Sequence, residues 1–311
     1  MDRNILADIH NHSTASDGEL TPAQIVLWAK NLGLKGFGLT DHDTLQGLNE
    51  AITSGDGLGI TVLPGVEVSL KFQRPFFTGT LHLLLYFSPQ LLKNTDFTAH
   101  VEATLKKGRG ESLIRSRVSA INREFGPHGA VPVLKNELTF EEISARASNI
   151  SRRHFSIVLK ENHGITDGAT VQRILANESP AYVPSGVEME GIRPLLESYP
   201  VVPVLAHPAA GEFPGPSHYR EVLPPLTVIE TLYPEFLHLG IEGIEVHYPG
   251  HLPEHRALLR QWAEKDHLII TGGSDCHDRI GRPLGVDGMT PLEWEIIQDR
   301  INEKSLRMDF N

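Results

Sequence analysis

One cysteine, Cys276, is the whole thiol content of this 311-residue chain. A disulfide framework is therefore excluded, and a reducing, cytoplasmic setting is the expectation. No apolar run approaches the roughly 20 residues that span a bilayer as a helix. The opening Met1-Asp2-Arg3-Asn4-Ile5-Leu6 lacks the charged-then-apolar pattern of a secretion signal. Basic residues are scarce too: 28 lysines and arginines against 39 acidic residues leave a net charge of −11. Such a chain has no broad basic face for duplex DNA. A small phosphorylated substrate stays open, because bound cations can supply positive charge locally. There is no internal repeat and no low-complexity tract.

What is abundant is histidine, with sixteen residues. The length suits a single α/β barrel carrying an insertion. Residues 5–9 read as a short strand ending in His10-Asn11-His12. Thr21 is a good N-cap with Pro22 at the first helical position, and the apolar spacing that follows predicts a helix stopped by Gly33. Residues 36–40 predict a buried strand ended by Asp41-His42-Asp43, and 45–53 a short helix. Strand material recurs at 60–63, 66–68 and 81–87. This alternation predicts a parallel sheet with helices outside it.

The middle changes character. Residues 101–125 read as one long helix, and 139–147, 154–160 and 170–176 as shorter ones, with no strand among them. Residues 99–200 are thus expected to form a helical insertion, a lid, on a barrel built from 1–98 and 201–311. Strands at 201–206, 243–247 and 268–271 then alternate with helices at 226–239, 253–265 and 291–302.

Metal-competent residues close the predicted strands: His10 and His12, His42, Glu67, His207, then Asp275 and His277. The C-terminal edge of such a barrel is where sites are built. His10 and His12 alternate by two, so both rings point to one side of an extended strand. Imidazole with carboxylate suits zinc, manganese or iron. Glu67 can bridge two ions, and more than four ligands imply more than one metal. His100, His128, His163, His218, His238, His255 and His267 are expected to be solvated. His247 and His251 follow a strand, and both a structural and a functional reading stay open for them.

In this order the residues resemble the PHP family, named for polymerase and histidinol phosphatase. The opening motif is Asp8-Ile9-His10-Asn11-His12-Ser13-Thr14-Ala15-Ser16-Asp17-Gly18; the others are Thr40-Asp41-His42-Asp43, Gly65-Val66-Glu67-Val68 and Gly273-Ser274-Asp275-Cys276-His277. The resemblance implies a distorted (β/α)7 TIM-like barrel with two or three divalent ions, Mn2+, Fe2+ or Zn2+. It adds Asp17, His82 and His154 to the ligands, the last in Ser151-Arg152-Arg153-His154, where Ser and Arg replace a family Gly and Pro. The chain is most similar to stand-alone members that act on 3′,5′-nucleotide bisphosphates or digest oligoribonucleotides from the 5′ end. An excursion at 71–80 reads as an extra hairpin.

The chemistry so implied is attack on a phosphate ester by hydroxide formed between the ions. Asp41 and His207 are the candidates for protonating the leaving group or supporting the ligands. Arg152 is expected to clamp the phosphoryl group, and Arg115 and Arg117 a second phosphate, with a solvated helix face as the plain alternative for the latter two. The substrate expected is a small nucleotide or short oligonucleotide. Two other readings share these residues: a histidinol-phosphate phosphatase, and a non-catalytic PHP module.

Overall fold

The structure, a computed structural model, describes residues 4–147, 150–213 and 223–308; His218 lies outside them. Among the described residues, eight strands and eleven α-helices follow one another as β1 (Ala7–Asp8), α1 (Pro22–Asn31), β2 (Gly36–Leu39), α2 (Leu48–Leu58), β3 (Thr61–Arg74), β4 (Phe77–Tyr86), α3 (Thr95–Lys106), α4 (Glu111–Phe125), α5 (Phe140–Ser144), α6 (Arg152–Glu161), α7 (Gly168–Leu175), β5 (Val187–Glu188), α8 (Met189–Ser198), β6 (Val202–Leu205), α9 (Leu226–Leu239), β7 (Gly243–His247), α10 (Pro253–Asp266), β8 (Ile269–Gly272) and α11 (Pro291–Met308).

Seven strands pair in the order β1-β2-β3-β4-β6-β7-β8, and β5 pairs with β3. A bridge between Asn11 and Cys276 brings the two ends of that path together. The sheet is a nearly closed, distorted barrel with helices outside it. Close backbone approach requires glycine at Gly38, where a Cβ would stand 2.2 Å from the Ile9 carbonyl oxygen.

The expected all-parallel sheet needs correction. β4 runs antiparallel to both β3 and β6. Arg74 pairs directly with Phe77, so only Pro75 and Phe76 form the turn, which leaves no room for a crossover. The expected hairpin at 71–80 is the far end of this long pair. Reversal also explains His82. On an antiparallel strand the end facing the barrel mouth is the entering one.

The middle departs from expectation in three places. Residues 101–125 form two helices, because Gly108-Arg109-Gly110 breaks them. A Cβ on Gly108 would lie 2.3 Å from the Gly186 backbone, and Gly110 has φ +96. β5 and α8 lie where no strand and no helix were expected. Gly191 and Pro194 lower the intrinsic helicity of α8, but Met189, Ile192 and Leu195 are buried in the barrel core. A second apolar cluster, gathered from α4 to α7 around Ile121, Phe125, Phe155 and Leu159, forms a helical cap. α3 and α8 pack into the barrel core instead. Among the described residues no helix is long and apolar enough to cross a membrane.

Candidate metal centre

The strands and the loops that follow them bring five imidazoles and three carboxylates together. Their nitrogen and oxygen atoms fall into three groups, each with its atoms within 4.8 Å of one another: His12, Asp17, His42 and His277; His10, His12, Glu67 and Asp275; and His42, Glu67 and His82. Each pair of groups shares a residue. His12 joins the first to the second, Glu67 the second to the third, and His42 the first to the third.

Glu67 stands at the middle. One oxygen lies 3.1 Å from His12 Nε2, 3.4 Å from His10 Nε2 and 3.0 Å from His42 Nδ1. The other lies 2.9 Å from His82 Nδ1 and 3.1 Å from His207 Nε2. Asp275 Oδ1 lies 3.1 Å from His12 Nε2, and Asp17 Oδ1 3.4 Å from His277 Nε2. Asp275 and His207 reach these places with positive φ, +50 and +27, as does Asp43 with φ +49. Such backbone concentrates at functional sites.

Several of these atoms are buried without a hydrogen bond: His10 Nε2, both ring nitrogens of His12, Asp17 Oδ1 and Glu67 Oε2. Buried polar atoms are normally paired. Here the lone pairs converge on shared points instead of on hydrogens, which is the arrangement cations satisfy. The electrostatics agree. Burial opposes a charge on His10, yet Glu245, Glu67 and Asp275 raise its pKa well above the ordinary value. Burial opposes His12 too, while Asp275 and Glu67 bring it to about 10. Glu67 is held well below the usual range against burial, by His42, His82 and His10. His42 shifts the other way: burial, with His12 and His82 nearby, holds it well below its ordinary value despite Glu67 and Asp17.

Other residues position the centre, and sequence reasoning missed them. Glu245 accepts from His10 Nδ1 at 3.0 Å and from the His207 N–H at 2.8 Å. A fully buried carboxylate in the apolar strand β7 was its signal. Tyr248 donates to Asp275 Oδ2 at 3.0 Å, and Arg282 donates to the same oxygen. That leaves Oδ1 for the histidines.

The other expected residues divide. His207 lines the centre. Asp41 stands behind it. Its oxygens accept from the Ser13 N–H and hydroxyl, both at 2.7 Å, and from the Ser16 hydroxyl at 2.6 Å, so it braces the loop between His12 and Asp17. His154 lies outside the three groups. Its Nδ1 accepts from the Ser151 N–H at 2.9 Å and caps α6. His251 is a buried structural residue, Nδ1 donating to the Val246 carbonyl and Nε2 accepting from the Ala209 N–H; burial lowers its pKa to about 3. His247 pairs with Glu293 at 2.8 Å. His255 is buried rather than solvated, because its Nδ1 accepts from the Leu252 N–H.

A cavity of about 340 Å³ opens from the metal groups toward the cap, lined on the far side by Arg109, Arg117, Arg152 and Arg153. Arg117 donates to the Val183 carbonyl at 3.0 Å, and Arg152 to Asn177 Oδ1 at 2.8 Å. Neither has a carboxylate partner among the described residues. Burial, then Arg152 and Arg109, lowers the pKa of Arg117 to about 9. Arg115 is not in this cavity. It is exposed, paired with Glu111 one turn away and laid over the Phe140 ring.

Residues 8–153 match the PHP domain. The chain carries a PHP domain. Over nearly full length on both sides it is similar to a 5′-3′ exoribonuclease of Haemophilus influenzae, 26% identical over 93% of this chain and 97% of the relative. It is 28% identical to a 3′,5′-nucleoside bisphosphate phosphatase of Chromobacterium violaceum, over 94% of this chain and 97% of that protein. Its fold matches a solved Bifidobacterium adolescentis structure described as a metal-dependent phosphoesterase, with TM-score 0.71, 25% identity and coverage of 94% and 96%. This PHP protein is a hydrolase, a metal-dependent phosphoesterase.

Proposed function

We propose that this PHP protein hydrolyses the 3′-side phosphate ester of nucleotides that carry a second phosphate, either 3′,5′-bisphosphates or short oligoribonucleotides with a 5′ phosphate. The observation that carries this reading is the two-sided cavity. The candidate metal ligands form one wall, and two half-buried guanidinia without carboxylate partners among the described residues, Arg117 and Arg152, form the other. A buried unpaired cation is costly unless an anion joins it. Guanidinium matches a phosphate's geometry, so the second phosphate fits there.

His10, His12, Asp17, His42, Glu67, His82, Asp275 and His277 would hold two or three divalent ions. Manganese, iron and zinc all accept this donor set. When bound, such ions polarise the phosphoryl oxygens and lower the pKa of water toward neutrality. Glu245 orients His10, and Tyr248 with Arg282 orients Asp275. His207, with Nε2 toward Glu67 and its ring on the cavity wall, is placed to give a proton to the leaving ribose oxygen. The helical cap acts as a lid that brings the arginines over the site. The free, buried Cys276 suits a reducing cytoplasm.

The test joins elemental analysis to a kcat/KM panel with manganese added. It compares adenosine 3′,5′-bisphosphate, a 5′-phosphorylated RNA trimer, adenosine 3′-monophosphate and histidinol phosphate. At least two ions per chain and a clear preference for substrates with two phosphates are expected. A preference for histidinol phosphate would replace this reading with the alternative phosphatase. Absence of turnover in fully metal-loaded protein would favour a non-catalytic module.

A further inference from the structure

Arg109 lines the same cavity but is engaged by the protein itself. It sits between α3 and α4, in Gly108-Arg109-Gly110, with a side chain only 11% exposed. Three of its donors are used at once. Nε donates to Asp43 Oδ2, Nη2 to the Ser69 hydroxyl at 3.1 Å, and Nη1 to the Ile150 carbonyl at 3.0 Å. Asp43 in turn accepts from the Ser69 N–H and hydroxyl, both at 2.8 Å. The Asp43 N–H donates to the Glu67 carbonyl at 2.9 Å.

One guanidinium therefore ties three segments together: the residue after His42, the strand that carries Glu67, and the chain that enters α6. Ile150 precedes Ser151, the N-cap of α6, and the helix opens with Arg152 and Arg153. The backbone around Arg109 is itself fixed. The Gly108 carbonyl accepts from the Gly186 N–H at 2.9 Å. An ammonium could not reproduce three directed bonds from one plane.

We propose that Arg109 is a positioning residue, a strut that holds the entry of α6, and with it Arg152, at a set distance from the metal-bearing strand ends. It touches protein rather than substrate, whereas Arg117 and Arg152 are left for the anion. The kinetic side of this inference rests on the two-phosphate reading above; the structural side does not.

Two measurements decide it. In Arg109→Ala, backbone amides of α6 are expected to exchange faster with solvent, while those of α10 on the barrel keep their protection. With adenosine 3′,5′-bisphosphate, kcat/KM should fall about tenfold, mostly through KM, the size expected when one charge-assisted contact is misplaced. In an Arg152→Ala background the same change should cost less than about twofold more, because the strut acts through Arg152. Losses that multiply would assign Arg109 a separate role, and unchanged exchange in α6 would remove the strut; either overturns the proposal. Should Arg109→Ala not fold, Asp43→Asn keeps the shape, weakens the pair and should show the same pattern in smaller measure; its absence there counts equally against the proposal. Were Arg152→Ala to leave bisphosphate turnover intact, the two-phosphate reading would fall, while the exchange experiment would still decide the strut.

Discussion

Glu245 holds His10 by its outer nitrogen: Nδ1 stands 3.0 Å from one carboxylate oxygen and 3.2 Å from the other. The ring is thereby turned so that Nε2 faces Glu67 and Asp275. A carboxylate behind a ligating histidine fixes its tautomer and orientation, and its removal typically costs ten- to a hundredfold in metal affinity (roughly). Glu245→Ala should lower metal affinity by about that factor, read by titration against a fluorescent chelator. An affinity within about twofold of wild type would mean that the ring is held by its packing alone.

Asp275 and His12 meet at 3.1 Å and belong to the same group of donors. Each single change, His12→Ala or Asp275→Ala, should remove nearly all turnover while circular dichroism stays native. More than roughly a tenth of wild-type kcat in either variant would withdraw the ligand role from that residue.

Arg115 and Arg117 are two apart on α4 and therefore face different ways. The structure separates them: Arg117 is in the cavity, and Arg115 is on the surface. A charge-assisted contact contributes about 1.5–3 kcal/mol, so Arg117→Ala should lower kcat/KM for adenosine 3′,5′-bisphosphate by roughly ten- to a hundredfold. Arg115→Ala should change it by less than about twofold, as befits an exposed pair. The reverse ranking would place the second phosphate elsewhere.

Glu293 anchors α11 to the barrel through His247. Burial acts against its charge, but the His247 contact brings its pKa from 4.5 down to about 2. An acid whose pKa is lowered by folding stabilises above its unfolded value, and that contribution disappears as pH falls from 4.5 to about 2. Wild type should therefore exceed Glu293→Gln by roughly 2–3 kcal/mol at pH 6, which is the ~3.5 kcal/mol given by linkage at about 1.4 kcal/mol per pH unit, reduced because solvent screens a partly exposed carboxylate. Urea titrations at falling pH check this. The gap should close through that window, and a constant gap would mean that the loss comes from packing rather than charge.

Much of this architecture is local and was readable from residue order. The bounds of α9 and β7 follow from apolar period and flanking glycines, and the Thr21 cap with Pro22 opens α1 as expected. The His10 and His12 pair needs only a strand to point both rings one way. Residues ending separate strands of a barrel must meet, because the barrel brings those ends together.

The remainder depends on distances through space that spacing along the chain does not encode. Nothing near Glu245 marks its partner, which lies 235 residues away. Asp41 looks the same as a catalytic acid until its oxygens are found occupied by Ser13 and Ser16. α8 contradicts its own helix propensity because burial of Ile192 and Leu195 outweighs Gly191 and Pro194. Arg115 and Arg117 are the same residue type on one helix, and only the packing of that helix within the cap puts one in the cavity and the other in water. The residue order determined which chemical groups this PHP protein has and which strand ends carry them. The tertiary structure decided which of those groups face a substrate and which hold the others in place, since low-dielectric contact between distant segments sets pairing, orientation and charge.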